Sequence, residues 1–166
     1  MTMLKKTLVG LAASLVLTVS AFAQSNTVVA TFATAPGAEK FSVALENKGP
    51  EQSIAGFAFK VSYDPAQVSF DSVANNTGQA ASRASYVVGP VVEENGRAYR
   101  LVNMTTLKEL TNAGKLAELK FTRKAAGKFV FGLDDRSKDP ADGLQNAELK
   151  EVPHTFDVTA VDGAEL

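Results

Sequence analysis

Between Ile54 and Val73 the chain has little freedom to be anything but a β-protein. Phe57, Phe59, Val61 and Tyr63 alternate with Ala58, Lys60 and Ser62. Strand side chains point to opposite faces in turn, so this period of two predicts one buried and one wet face. Asp64-Pro65 ends the run, because proline fixes φ and has no N–H to give a ladder. A second alternation follows, with Val68 and Phe70 on one side and Ser69 and Asp71 on the other. Strand, Asp-Pro turn, strand is how a sandwich turns a corner.

The remaining pattern repeats this theme. Val28 to Ala33 reads as a short apolar strand turned by Pro36-Gly37. Phe41, Val43 and Leu45 alternate with Ser42, Ala44 and Glu46, before the dense turn signal Asn47-Lys48-Gly49-Pro50. Residues 75–84 are polar and read as a loop. Tyr86–Glu94 and Arg97–Met104 flank Asn95-Gly96, a pair that tolerates the positive φ of a type I′ hairpin turn. Unbroken pairing from that turn sets Val92 opposite Tyr99, Val88 opposite Asn103, Val91 opposite Arg100 and Val87 opposite Met104. Tyr86 and Tyr99 then share a face with Leu101 and Asn103, and both faces are partly apolar, so the pattern leaves open which is buried. Pro90 marks this arm as an edge or a bulge. Leu107 to Ala113 is the one predicted helical turn. Ala117, Leu119 and Phe121, then Phe129, Phe131 and Leu133, alternate as strands, and the last strand runs from His154 to about Val161 with Phe156, Val158 and Ala160 on one face. The expectation is all-β: about nine strands in an antiparallel β-sandwich.

The first 23 residues are set apart from this fold. Lys5 and Lys6 precede an apolar run from Leu8 to Val19 and the small-x-small site Ala21-Phe22-Ala23, the order of a secretory signal peptide cleaved after Ala23. Residues 24–166 are then one domain, exported to the periplasm or the cell exterior, with no membrane anchor in the mature chain. Cleavage leaves fifteen basic against eighteen acidic residues, a net of −3, which does not suit nucleic acid. Cysteine is absent, so the core carries the fold without disulfides.

Certain segments also resemble a known family. Gly56-Phe57-Ala58-Phe59-Lys60-Val61-Ser62-Tyr63-Asp64-Pro65, then Val68 to Val73, then Gly114-Lys115-Leu116-Ala117-Glu118-Leu119-Lys120-Phe121, then Asp142-Gly143-Leu144-Gln145-Asn146-Ala147-Glu148-Leu149, are similar in order and spacing to cohesin modules. They are similar also to the wider superfamily of cellulose-binding jelly-roll sandwiches. The resemblance covers nearly all of the mature chain and implies a nine-stranded jelly roll. It implies that 28–33 pairs with 155–161, and that strands at 54–63, 86–93, 97–104 and 128–134 share a sheet. In cohesins that sheet binds dockerin, a small calcium-loaded module carried by polysaccharide-degrading enzymes. The implied partner is thus a dockerin-like exported protein, with Lys60, Tyr86, Tyr99 and Asn103 as the partner-binding candidates here.

Chemistry beyond binding has thin support. The single histidine, His154, would need an orienting acid and an adjacent serine to serve a catalytic triad, and Asp157 lies on the other face of the predicted strand. No two carboxylates sit in an apolar setting that would raise one pKa for glycoside hydrolysis. The expectation is a protein without catalysis. Asp134, Asp135, Asp139 and Asp142 are the sharpest metal candidates, for a structural calcium. Their spacing departs from an EF-hand and Arg136 and Lys138 neutralise the same acids, so a solvated loop with no cofactor is preferred. A carbohydrate-binding module is the alternative function, with polysaccharide as partner. It needs flat exposed rings, and the chain has no tryptophan and three tyrosines. A structural envelope or matrix protein is the second alternative.

Overall fold

The structure is a computed structural model, and it describes residues 25–74, 84–110, 115–138 and 142–166, without the side chains of 107–110. The predicted leader lies outside these residues, as do Asp139 and most of the 75–84 loop. Eleven strands form: β1 Asn26–Phe32, β2 Lys40–Lys48, β3 Ile54–Tyr63, β4 Val68–Ala74, β5 Ser85–Val88, β6 Val92–Glu94, β7 Arg97–Leu110, β8 Lys115–Arg123, β9 Phe131–Asp135, β10 Leu144–Asn146 and β11 His154–Asp157. Eleven replaces about nine because Gly89-Pro90 divides the hairpin arm into β5 and β6, and because β10 forms beyond the acidic loop. Residues 107–110 continue β7 and pair with β3 at Ile54, which corrects the predicted helical turn. Sheet pairing there overrides a local helical preference; residues 111–113 lie outside the described set.

The strands make two layers. One sheet runs β11-β1-β2-β8-β4. The other has β3 and β7 at its centre, β9 and β10 beyond β3, and β5 and β6 beyond β7. The first and last strands pair as expected, Val28 opposite Phe156, but they run parallel rather than antiparallel. β11 also stops at Asp157, and Val161, not Ala160, turns into the core.

Alternation decides what lies between the layers. Phe57, Phe59, Val61 and Tyr63 are at most 3 % exposed, as are Val28, Val43, Leu45, Leu119 and Phe121. Phe121 stacks on Phe41 at 5.5 Å and meets Phe70 and Phe129 edge-on. Phe59 stacks on Phe57 at 4.4 Å and receives the edge of Phe156 from the facing sheet. Such offset and edge contacts are the favoured aromatic geometries and lock the layers in register. A polar knot seals one corner: the Asn26 amide donates to Asn47 Oδ1 (2.8 Å) and Glu51 O (2.7 Å), and its Oδ1 accepts from Glu51 N–H. Gly49 holds φ 142° beside it, and a Cβ there would lie 2.7 Å from Asn26.

Candidate functional site

β3 and β7 carry the flat outward face of the second sheet. Ser62 pairs with Tyr99, Lys60 with Leu101 and Ala58 with Asn103, so these six residues share that face. The Lys60 ammonium lies 4.2 Å from the centre of the Tyr99 ring, a cation–π contact that fixes both side chains at mid-sheet. Beside them Arg97 donates to the Ser62 hydroxyl at 2.7 Å. Gly132 of β9 leaves room for that pair, since a Cβ at this position would sit 2.6 Å from Ser62 Oγ. Two shallow hollows flank Lys60 and Tyr99. One, of about 270 Å³, is walled by Pro90, Val92, Glu94, Leu101 and Arg136. The other, of about 290 Å³, is lined by Ser62, Gly132, Leu133 and Asp134.

The edge of this face is apolar and uncovered. Val87 is 61 % exposed and Val92 56 %, and both point outward because they pair with Asn103 and Tyr99. Asn103 sits between Ala58 and Val87. Its Oδ1 is buried and accepts no hydrogen bond from a described residue. An exposed apolar edge is a feature that a docked protein surface would cover.

The four partner-binding candidates do not all meet here. Lys60, Tyr99 and Asn103 share the face, whereas Tyr86 points the other way. Val92 pairs with Tyr99 as expected, but beyond Gly89-Pro90 the register slips by one: Val88 faces Val102, Val87 faces Asn103 and Tyr86 faces Met104. The Gly89 N–H still reaches Leu101 O, so the extra residue is taken up as a bulge in the arm. The slip turns Tyr86 inward, onto Phe57, with its hydroxyl donating to Leu116 O of the other sheet at 2.5 Å. It turns Val87 outward instead. Pro90 was the signal for this, since proline in a strand arm marks an irregularity.

His154 does find an orienting acid, and it is Asp135. Its Nε2 lies 3.0 Å from Asp135 Oδ1 and its Nδ1 2.8 Å from Val152 O. Its side chain is 3 % exposed and packs against Phe59 and Phe156. Both nitrogens are occupied by these contacts, which tie β11 to β9 across the sandwich. The acidic residues do not converge. Asp134 points outward and Asp135 inward to His154, while Asp142 accepts from Ser137 and pairs with Arg136 at 3.6 Å. Among the described residues no three His, Asp or Glu side chains gather to hold a metal ion, and no helix is long and apolar enough to cross a membrane.

Comparison with known proteins places this architecture. A non-cellulosomal cohesin from Archaeoglobus fulgidus superposes with a TM-score of 0.55 at 16 % identity, over 80 % of this chain and 86 % of that one. The cohesin of a type I cohesin–dockerin complex from Clostridium thermocellum gives 0.53 at 14 % identity, over 80 % and 89 %. The second type II cohesin module of the ScaA scaffoldin of Acetivibrio cellulolyticus gives 0.53 at 14 % identity, over 88 % and 97 %. These likenesses show the fold. No curated protein sequence matches the chain. The family model described as Cohesin domain matches residues 16–161, and the chain therefore belongs to the cohesin domain family.

Proposed function

We propose that this chain is a non-catalytic, exported cohesin module that docks a dockerin-type protein, or another exported protein, on the outward face of β3, β5, β6 and β7. The observation that carries the reading is that face itself. It sets exposed Val87 and Val92 beside the Lys60–Tyr99 pair, with Asn103 on the same face. Apolar residues around an aromatic anchor, with a polar rim, are how protein interfaces are built. The Clostridium thermocellum relative was solved as a cohesin–dockerin complex, which supports a partner of the same kind. The predicted leader supports export, and a dockerin partner would link the chain to polysaccharide breakdown. Direct glycan binding on this face has less support, because the register slip leaves Tyr99 without a second tyrosine beside it.

Calorimetric titration against calcium-loaded dockerin modules tests the reading. We expect calcium-dependent binding that Tyr99→Ala weakens by about 1–2 kcal/mol, the range of an interface anchor, and that chelation abolishes. Absence of binding to every calcium-loaded dockerin, or full affinity in a Tyr99→Ala/Val92→Asp variant, defeats it.

A further inference from the structure

On the opposite sheet the outward side of β2, β8 and β4 is recessed. Ser42 and Ala44 belong to the wet face of β2 by parity, yet both are 4 % exposed. Being small, Ser42 leaves a recess between longer neighbours. The hollow above measures about 440 Å³ and is lined by Lys40, Ser42, Asp71, Ser72, Glu118 and Lys120, with Thr34 at its end. That volume lies within the roughly 300–1,000 Å³ of small-ligand clefts.

The charges in the hollow are unequally satisfied. The Glu118 carboxylate is 2.7 Å from the Lys115 ammonium, which holds its carboxyl below the ordinary glutamate range. Asp71 accepts from the Thr122 hydroxyl at 2.7 Å. Lys40 and Lys120 make no hydrogen bond or ion pair to a described residue; Lys120 only lends its field to Glu118. Lys40 is opposite Thr122 and Lys120 opposite Ser42, so the lysines are diagonal neighbours, roughly 7–8 Å apart by sheet geometry. The Ser42 hydroxyl is near enough to Glu118 to favour its charged form, but it lacks hydrogen-bond geometry to any described partner.

We propose that this hollow is a second binding site, for an acidic sugar of the uronate type. The sugar carboxylate would sit between Lys40 and Lys120. Its ring hydroxyls would meet the exposed Ser72 and donate to Asp71 and Glu118. These two carboxylates disfavour a compact multiply charged anion such as phosphate, but they suit a ligand that carries a single carboxylate per ring and many hydroxyl donors. The site is on the sheet opposite the proposed docking face and does not depend on it.

Backbone-amide NMR of the protein, titrated with trigalacturonate, cellotriose and inorganic phosphate, tests this. Trigalacturonate should shift the amides of Ser42, Ser72 and Lys120, and cellotriose at equal concentration should not. A Lys40→Gln/Lys120→Gln variant, whose exposed positions leave the core untouched, should keep its Tm and lose at least about tenfold in affinity. Tyr99→Ala should bind trigalacturonate normally. The proposal is overturned if trigalacturonate shifts nothing in the hollow, or if the double variant binds as the parent does. It is overturned equally if phosphate moves the same amides as strongly, which would mark an adventitious anion patch.

Discussion

Tyr86 and Tyr99 are predicted to behave oppositely when truncated, because the slip at Gly89-Pro90 sends one inward and the other outward. Tyr86→Ala removes a half-buried ring, an edge contact to Phe57 at 6.5 Å and the hydroxyl bond to Leu116 O. Half the burial of a large apolar side chain is about 1 kcal/mol, an aromatic pair about 1 and a hydrogen bond about 1, for a total of about 3 kcal/mol. In a chain of this size that lowers Tm by about 6–12 °C. Tyr99→Ala removes an outward ring that is also partly buried, about 1 kcal/mol, and its contact with Lys60, about 0.5–1 kcal/mol, so its Tm should fall by about 3–8 °C. Tyr86→Phe, which loses only the hydroxyl bond, should cost about 1 kcal/mol. Thermal and urea unfolding of the three variants measures this. If Tyr99→Ala costs as much as Tyr86→Ala, the two rings share one environment and the slipped register is wrong.

Three further perturbations probe the frame behind the face. Asn26→Ala strands the Glu51 N–H and the Asn47 Oδ1 acceptor in a buried corner and should cost about 2–4 kcal/mol in urea unfolding; a loss under about 0.5 kcal/mol would mean water replaces the Asn26 amide freely. His154→Phe keeps the contacts with Phe59 and Phe156 but breaks both ring-nitrogen bonds, so stability should drop by about 1–3 kcal/mol; an unchanged midpoint would deny the bond between β11 and β9 any structural weight. Glu118 has its carboxyl below the ordinary 4.5, first through the hydrogen bond from Lys115. Its stabilising contribution is therefore present above that value and fades as pH falls through the lower folded one. Glu118→Gln should flatten the acid side of the stability–pH curve below about pH 4.5, and a curve of unaltered slope would refute this.

Much of the frame was legible from local pattern. The inward parity of Phe57, Phe59, Val61 and Tyr63 follows from period two alone, and the Asp64-Pro65 corner follows from proline chemistry. The pairing of first and last strands came from the family resemblance, which does not follow from periodicity. Other features depend on partners far along the chain. Asp135 and His154 are nineteen residues apart and belong to different sheets. Alternation puts Ser42 and Ala44 on a wet face, yet both are buried opposite the long Lys120 and Glu118 of β8, partners that lie far along the chain. The slip of Tyr86 was announced by Pro90, yet its sense is set by where the Gly89 N–H finds its acceptor. A single residue of slip exchanges every side chain between faces, and here it replaced one candidate contact, Tyr86, with another, Val87.

We propose that a partner covers the outward face of β3, β5, β6 and β7. Methyl-detected NMR cross-saturation from a bound, calcium-loaded dockerin measures this most directly. Saturation is expected at the Val87, Val92 and Leu101 methyls, which lie on that face, with Val29 and Ala44 on the opposite sheet left unperturbed. Saturation of Val29 and Ala44 with Val87, Val92 and Leu101 silent would contradict it.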